Sequence, residues 1–131
     1  KYSDHHDEIE MSQMLERLDD QIQLNRYVFL RGSFDEFLDS FEDETFDFIY
    51  IDGYANTGQE DGKTLEDWFC KLKPGGIFAG HDYHENWMKT VNAVDSFIDN
   101  HNLNLQIIED LEDDWDFPSW YTINTQTQGE L

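Results

Sequence analysis

The chain has 131 residues, 38% hydrophobic and 15% aromatic, which suffices for one buried core and indicates a single domain, 1–131. Its 30 acidic residues against 8 basic ones give a formal net charge of −22, which would repel phosphate backbones and anionic membranes. Neither nucleic acid nor a membrane is therefore an expected partner. One cysteine excludes an internal disulfide, and with no apolar run long enough to span a bilayer we expect a cytoplasmic protein.

The first thirty residues predict a helix and then a strand. His5 and His6 lie among acidic neighbours, a pattern that fits either a metal site or, more commonly, a solvated end. Apolar residues then recur every three or four positions, which predicts an amphipathic helix from Ile9 to about Leu24. The run Tyr27–Leu30 is apolar and short, so we predict a strand there.

A second helix is predicted from Phe34 to about Phe41. Ser33 with Glu36 three positions later is the pattern of a capping box, which marks the beginning of a helix. Phe34 and Phe41 would lie on its buried face.

Two core strands form the centre of the sequence. The aromatic and β-branched run Phe46–Ile51 is too short for a helix and stops at Asp52. The second strand, Gly76–Gly80, follows a predicted Pro74-Gly75 turn and stops at His81.

A helix over Thr64–Leu72 would join these two strands, and a strand, helix and strand in succession predict a right-handed crossover between parallel strands. Cys70 in this helix is interpreted as a small core residue. The preceding loop, 53–63, is longer than the connection requires, so it either closes over a ligand or is a surface loop without a role.

The last third predicts a helix and a hairpin. Val91, Val94, Phe97 and Ile98 form one helical stripe. Leu103–Ile108 and Ser119–Ile123 are then predicted to pair as antiparallel strands. Three aromatic residues near this hairpin would pack on the sheet edge, or else line a substrate pocket: Trp115, Phe117 and Trp120.

The ordered set FDFIYIDG, KLKPGG, IFAGHDY and TVNAVDSFI resembles the later half of the class I S-adenosylmethionine-dependent methyltransferases, nearest to small-molecule and sugar O-methyltransferases. The resemblance covers roughly Met11 to Ile123. It implies an α/β fold, a Rossmann-like and mostly parallel sheet with a C-terminal antiparallel hairpin, lacking the first two strands in this chain. The domain would then be partial: an amino-terminal segment is missing, another chain supplies strands, or the strands rearrange.

The resemblance also implies the cofactor S-adenosylmethionine. It places Gly32, Ser33 and Phe34 beside the adenine, with Asp52 and Tyr54 on the same side of the site; Ser33 could equally serve only as a helix cap. Two departures stand out. Tyr54 follows the IDG motif where relatives often have histidine, and no glycine-rich cofactor loop precedes this region.

A carboxylate follows each of the two central strands, and two histidines, His81 and His84, follow the second strand. Since ligands bind at the carboxyl ends of strands in open α/β sheets, Asp52, His81 and Asp82 are candidate catalytic residues. Two carboxylates and an imidazole suit Mg²⁺ or Mn²⁺, and the resemblance takes metal ligands from these same strand ends. Without a metal, His81 or His84 would be the general base. The competing interpretation is that these residues only cap turns.

The function expected is methyl transfer to a hydroxyl of a small molecule, with metal assistance. The alternative is a non-catalytic binding or homo-oligomerising module of the same fold, which leaves enzymatic activity uncertain. A metal-dependent hydrolase is a third reading, although no G-x-S-x-G motif supports it.

Overall fold

The computed structural model describes residues 4–109 and 117–126, with side chains described from residue 8 onward. The chain forms two compact units, Lys1–Gly32 and Ser33–Leu131, and each is described by itself. Within the described residues, no helix is long and apolar enough to cross a membrane. The side chains of His5 and His6, and the whole of Trp115, lie outside the described residues.

The first unit is helical, as predicted, with a break at Leu18. Helix α1 (Asp4–Arg17) is followed by α2 (Asp19–Gln23). Arg31 pairs with Glu8, which ties the end of this unit back to its first helix.

The predicted strand at Tyr27–Leu30 is wrong, because these residues have no regular secondary structure. Val28 and Leu30 are exposed. A strand needs a neighbour to satisfy its backbone N–H and C=O groups, and the described residues supply no partner for this segment. Local β propensity alone therefore does not produce a strand here.

The second unit contains the sheet and the helices that cover it. Its elements in chain order are α3 (Phe34–Phe37), β1 (Phe46–Ile51), α4 (Gly58–Asp61), α5 (Lys63–Phe69), β2 (Leu72–Gly80), α6 (Met88–Asn100), β3 (Gln106–Ile108) and β4 (Ser119–Ile123). Helix α3 is shorter than predicted and continues as a 3-10 turn over Leu38–Ser40. The Ser33 N–H donates to the Glu36 carboxylate at 2.6 Å, so the predicted cap is present.

Over residues 4–109 and 117–126, the sheet has four strands in the order β1-β2-β4-β3. Strands β1 and β2 are parallel neighbours, and β4 pairs antiparallel with both β2 and β3. This confirms the parallel crossover, the C-terminal hairpin and the Rossmann-like α/β fold. The sheet expected from the sequence is mostly parallel, whereas the described strands form one parallel pair and two antiparallel pairs. The free edge of β1 has no partner among the described residues.

The predicted turn at Pro74-Gly75 lies inside β2 rather than before it. Phe46 pairs with Leu72 and Phe48 with Ile77, so extra residues of β2 bulge out between these pairs. Gly75 supplies the positive φ of 82° that such a bulge needs, and its N–H donates to the Asn124 carbonyl at 2.7 Å. Helix α5 accordingly ends before the predicted Leu72.

One face of the sheet forms the core beneath α5 and α6. Phe78 is completely buried and packs its ring against Phe69, Phe97 and Trp120. Trp120 is therefore a core residue and does not line a substrate pocket. On the opposite face, the side chain of Phe48 is 56% exposed.

The interpretation of Cys70 as a core residue is wrong, because its side chain is exposed. It lies just beyond α5, where Lys71 and not Cys70 turns inward to donate to the Phe41 carbonyl at 2.8 Å.

Candidate active site at the carboxyl ends of β1 and β2

The strand register brings the two candidate loops to the same level. Ile51 pairs with Gly80 at the ends of β1 and β2, and the His81 N–H donates to the Ile51 carbonyl at 3.1 Å. Asp52 and His81 are thus the first residues beyond two neighbouring parallel strands, which lie about 5 Å apart in any sheet.

Asp52, His81 and Asp82 form one cluster. Each offers a ligand atom, and these atoms all lie within 4.8 Å of one another. His81 Nδ1 lies 3.6 Å from Asp52 Oδ1 and 3.2 Å from Asp82 Oδ1. The Asp52 side chain is 63% exposed, whereas that of Asp82 is 18% exposed. The cluster is therefore largely shielded from solvent at Asp82 and open to solvent at Asp52.

Asp82 has a left-handed backbone, with φ of 63°. Aspartate tolerates this conformation better than most residues, and here it reverses the chain so that the His84 N–H donates to the Asp82 carbonyl at 2.9 Å. The turn keeps the Asp82 carboxylate beside His81 while the chain continues towards α6.

His84 is outside this cluster. Its Nδ1 accepts a hydrogen bond from the Asn86 N–H at 3.1 Å, capping the turn that leads into α6. In the neutral ring, Nδ1 must then be the nitrogen without a proton, so the proton is on Nε2. His84 therefore acts as a donor, and the geometry favours His81 over His84 as a base.

The residues expected beside the cofactor are only partly brought together. The ring of Phe34 meets that of Tyr54 edge to face, with centroids 5.0 Å apart. A Cβ on Gly53 would lie 2.9 Å from Phe34 Cζ, so the absence of a side chain at Gly53 lets Phe34 lie beside the Asp52 loop. Ser33 is the cap of α3, and Gly32 belongs to the first unit.

The loop after Asp52 contains an unusual left-handed turn. Gln59, Glu60 and Asp61 all have positive φ between Gly58 and Gly62, and α4 is therefore a left-handed turn. This conformation costs an L-residue about 1–2 kcal/mol each, so the turn must be held by other contacts. Gln59 supplies them: its side chain is 3% exposed, and its Nε2 donates to the Gly53 carbonyl and to Thr90 Oγ1, each at 3.2 Å.

Tyr83 anchors the loop after β2. Its hydroxyl donates to Asp95 Oδ1 at 2.6 Å, and its N–H donates to the Pro118 carbonyl at 3.1 Å. Burial, and then this hydrogen bond to the charged Asp95, raise the pKa of Tyr83 to about 12.

We expect Tyr83 to give a tyrosine transition near pH 12 in an alkaline titration followed at 295 nm. Its folded pKa lies above the unfolded value of about 10, so the stability it contributes is complete below that pH. That stability is lost as the pH rises through about 12. Tyr83→Phe should remove this transition, and Asp95→Asn should move it to lower pH. An unchanged transition near pH 12 in Tyr83→Phe would contradict the assignment.

Sequence reasoning missed Gln59, Thr90 and Asp95 as parts of this site. Polar residues in a glycine-rich loop and on a helix are ordinary surface features in sequence, and only the fold shows that Thr90 is completely buried. Tyr83 could have been noticed, since it directly follows Asp82.

The fold and the cluster define a class I methyltransferase-type domain, with a parallel pair of strands, a C-terminal antiparallel hairpin and polar residues at the strand ends. A family described as "Methyltransferase domain" matches residues 3–83, more than half of the sequence. The chain belongs to this family. The matched region ends at Tyr83 and includes every member of the cluster.

A crystal structure of a protein from Corynebacterium glutamicum, determined by a structural genomics consortium, has a similar fold, with a TM-score of 0.59 at 7% sequence identity. The similarity covers 91% of this chain and 59% of that one. A comparison with curated proteins finds no match.

Proposed function

We propose that this chain forms the catalytic half of an S-adenosylmethionine-dependent methyltransferase that methylates a hydroxyl group of a small molecule. The observation that carries the proposal is the convergence of Asp52, His81 and Asp82 within 4.8 Å at the ends of two parallel strands. The net charge of −22 favours a small-molecule acceptor over a nucleic acid.

Methyl transfer to a hydroxyl is an in-line displacement, which needs the acceptor oriented and its proton removed. His81 is suited to take that proton. Asp52 and Asp82 flank its Nδ1, so they orient the ring and stabilise the imidazolium that proton transfer would create. The exposed side chain of Asp52 leaves the cluster accessible to an acceptor from solvent.

The same residues fit a divalent cation. Two carboxylate oxygens and one imidazole nitrogen are a donor set that suits Mg²⁺ or Mn²⁺, with water or substrate oxygen as further ligands. Asp52, His81 and Asp82 would hold the ion. When bound, it would supply positive charge that lowers the pKa of the acceptor hydroxyl.

The cofactor part of the proposal rests on an aromatic corner beside Asp52, which is formed by Phe34 and Tyr54. Phe34 and Tyr54 present ring edges and faces against which an adenine can pack. Neither the family's glycine-rich turn for the methionine part nor its acidic second-strand end for the ribose is assigned in the sequence, so under this proposal both come from a preceding part of the domain. The chain covers only 59% of its structural neighbour, which is consistent with a partial domain.

We expect the 131-residue chain to bind S-adenosylmethionine weakly or not at all, and a longer polypeptide carrying the upstream half of the domain to bind it and methylate a hydroxylated acceptor. Titration calorimetry on both proteins, with release of S-adenosylhomocysteine as the activity readout, tests this. Tight binding by the short chain would show that the missing segments are dispensable. A longer protein that binds the cofactor but methylates no hydroxyl would refute the proposed reaction.

A second candidate function is a non-catalytic module that binds a partner or a second copy of itself. The observation that favours it is the exposed face of the sheet, which carries exposed apolar side chains on β1, β2 and β4: Phe48, Tyr50, Ile77 and Ile123. Under this alternative the chain associates in solution, whereas substitutions in the Asp52 cluster change nothing measurable.

A further inference from the structure

Helix α6 contacts both loops that carry the proposed ligands. Thr90 lies near its beginning and Asp95 in its middle. Thr90 bonds to the loop after β1, and Asp95 bonds to the loop after β2. A single rigid helix therefore holds the two loops that meet at the cluster.

On the β1 side, the contacts form a chain of hydrogen bonds around two buried side chains, Gln59 and Thr90. Gln59 Nε2 donates to the Gly53 carbonyl and to Thr90 Oγ1, and Thr90 Oγ1 donates to the Ala55 carbonyl at 3.2 Å. Gly58 packs against the backbone of Lys89, where an added Cβ would lie 2.5 Å from the carbonyl oxygen. The backbone carbonyls of Gly53 and Ala55, the first and third residues after Asp52, are thus linked to α6 through Gln59 and Thr90.

On the β2 side, Tyr83 provides the equivalent link. Its hydroxyl bonds to Asp95 on α6, while its N–H bonds to Pro118 just before β4. Asp82, the residue before it, has the left-handed backbone described above. Tyr83 is held by its hydroxyl and by its N–H, and it therefore limits the position of the Asp82 turn. The direction of the Asp82 carboxylate is limited with it.

We propose that Gln59–Thr90 and Tyr83–Asp95 are positioning pairs, which use α6 as a common support to set the separation between Asp52 and Asp82. This rests on the proposed function, since it concerns the same cluster. Groups bonded directly to metal ligands change metal affinity by about 10- to 100-fold when they are removed, and these pairs, which hold the loops of the ligands, should act at the lower end of that range.

Gln59→Met tests the β1 side of this proposal. The Gln59 Oε1 is buried and has no hydrogen-bond partner among the described residues, so the substitution removes an unsatisfied acceptor. It also removes the donor to Gly53 and Thr90, and we therefore expect a lower melting temperature together with weaker metal binding. The loss of affinity, compared with a control variant that loses stability elsewhere, separates positioning from a purely structural role.

The experiment is Mn²⁺ binding to the 131-residue chain, measured by electron paramagnetic resonance of the free ion, for the unsubstituted protein, Gln59→Met and Tyr83→Phe. We expect each variant to weaken Mn²⁺ affinity by about 10-fold or more. Tyr50→Phe is the matched control, because it also loses a tyrosine hydrogen bond, 2.7 Å long, to Ser119 and lies on the exposed face of the sheet. It should lose comparable stability and keep its affinity.

Two outcomes overturn the inference, and they are distinguishable. If the unsubstituted chain binds Mn²⁺ and both variants bind it equally well, the positioning role is refuted while the proposed metal site stands. If the unsubstituted chain binds no Mn²⁺, metal assistance in the proposed function fails, and the positioning of a metal site fails with it.

Discussion

Replacing Asp82 by asparagine is expected to lower the turnover of an active, longer form of this protein by about 100-fold or more, while its affinity for S-adenosylmethionine changes little. The substitution keeps the shape of the side chain but removes the charge 3.2 Å from His81 Nδ1. Both the imidazolium and any bound cation would lose a stabilising carboxylate, whereas the aromatic corner at Phe34 is untouched. Asp52→Asn should act in the same direction.

Asp47→Asn is the control for this prediction. Asp47 lies in β1, the strand that ends just before Asp52. Its carboxylate pairs with Lys73 at 3.4 Å and lies outside the cluster, so turnover should be unchanged. Chelation should mimic the Asp82 substitution if a metal assists, and added Mg²⁺ or Mn²⁺ should restore the unsubstituted protein. Steady-state kinetics and calorimetry together provide the measurement. Full turnover in both cluster variants would leave the non-catalytic module as the better account.

The largest effect on stability is expected for Phe78→Ala. Phe78 is completely buried in β2 and touches the rings of Phe69, Phe97 and Trp120, so truncation opens a cavity where the sheet meets both covering helices. Substitutions of this kind cost about 3–5 kcal/mol of unfolding free energy. Urea denaturation followed by circular dichroism measures the change.

Phe48→Ala makes the same chemical change two strand positions before Tyr50, where the side chain is 56% exposed. We expect a loss well below that of Phe78→Ala, because little buried surface is removed. Equal losses for the two variants would mean that the exposed sheet face is covered in solution, which would support self-association.

The central strands and their polar ends were predictable because the signals are local and agree with each other. Phe46–Ile51 is a β-branched and aromatic run with a sharp end, and the helix that follows restricts its connection to a parallel crossover. Once two parallel strands are adjacent, Asp52 and His81 must lie at the same edge. Part of the site thus follows from strand order alone.

The sequence predictions that failed share one physical cause, because the structure at these positions depends on residues far away in the sequence. Tyr27–Leu30 has the residues of a strand, but the described part of the chain offers it no strand to pair with. Pro74-Gly75 has the pattern of a turn, yet it is accommodated as a bulge because Asn124 accepts a hydrogen bond from Gly75. Burial of Gln59 depends on α6, which begins about thirty residues later.

The contacts of α6 also impose an order on the assembly of the site during synthesis. Every proposed ligand has been made once the chain reaches Asp82, but the supports at Thr90, Asp95 and Pro118 emerge from the ribosome later. A nascent chain paused at Tyr83 would carry the complete cluster sequence without the helix that holds its loops. If α6 positions the cluster as proposed, the cluster is encoded early and acquires its geometry only after the helix and the last strand have been made.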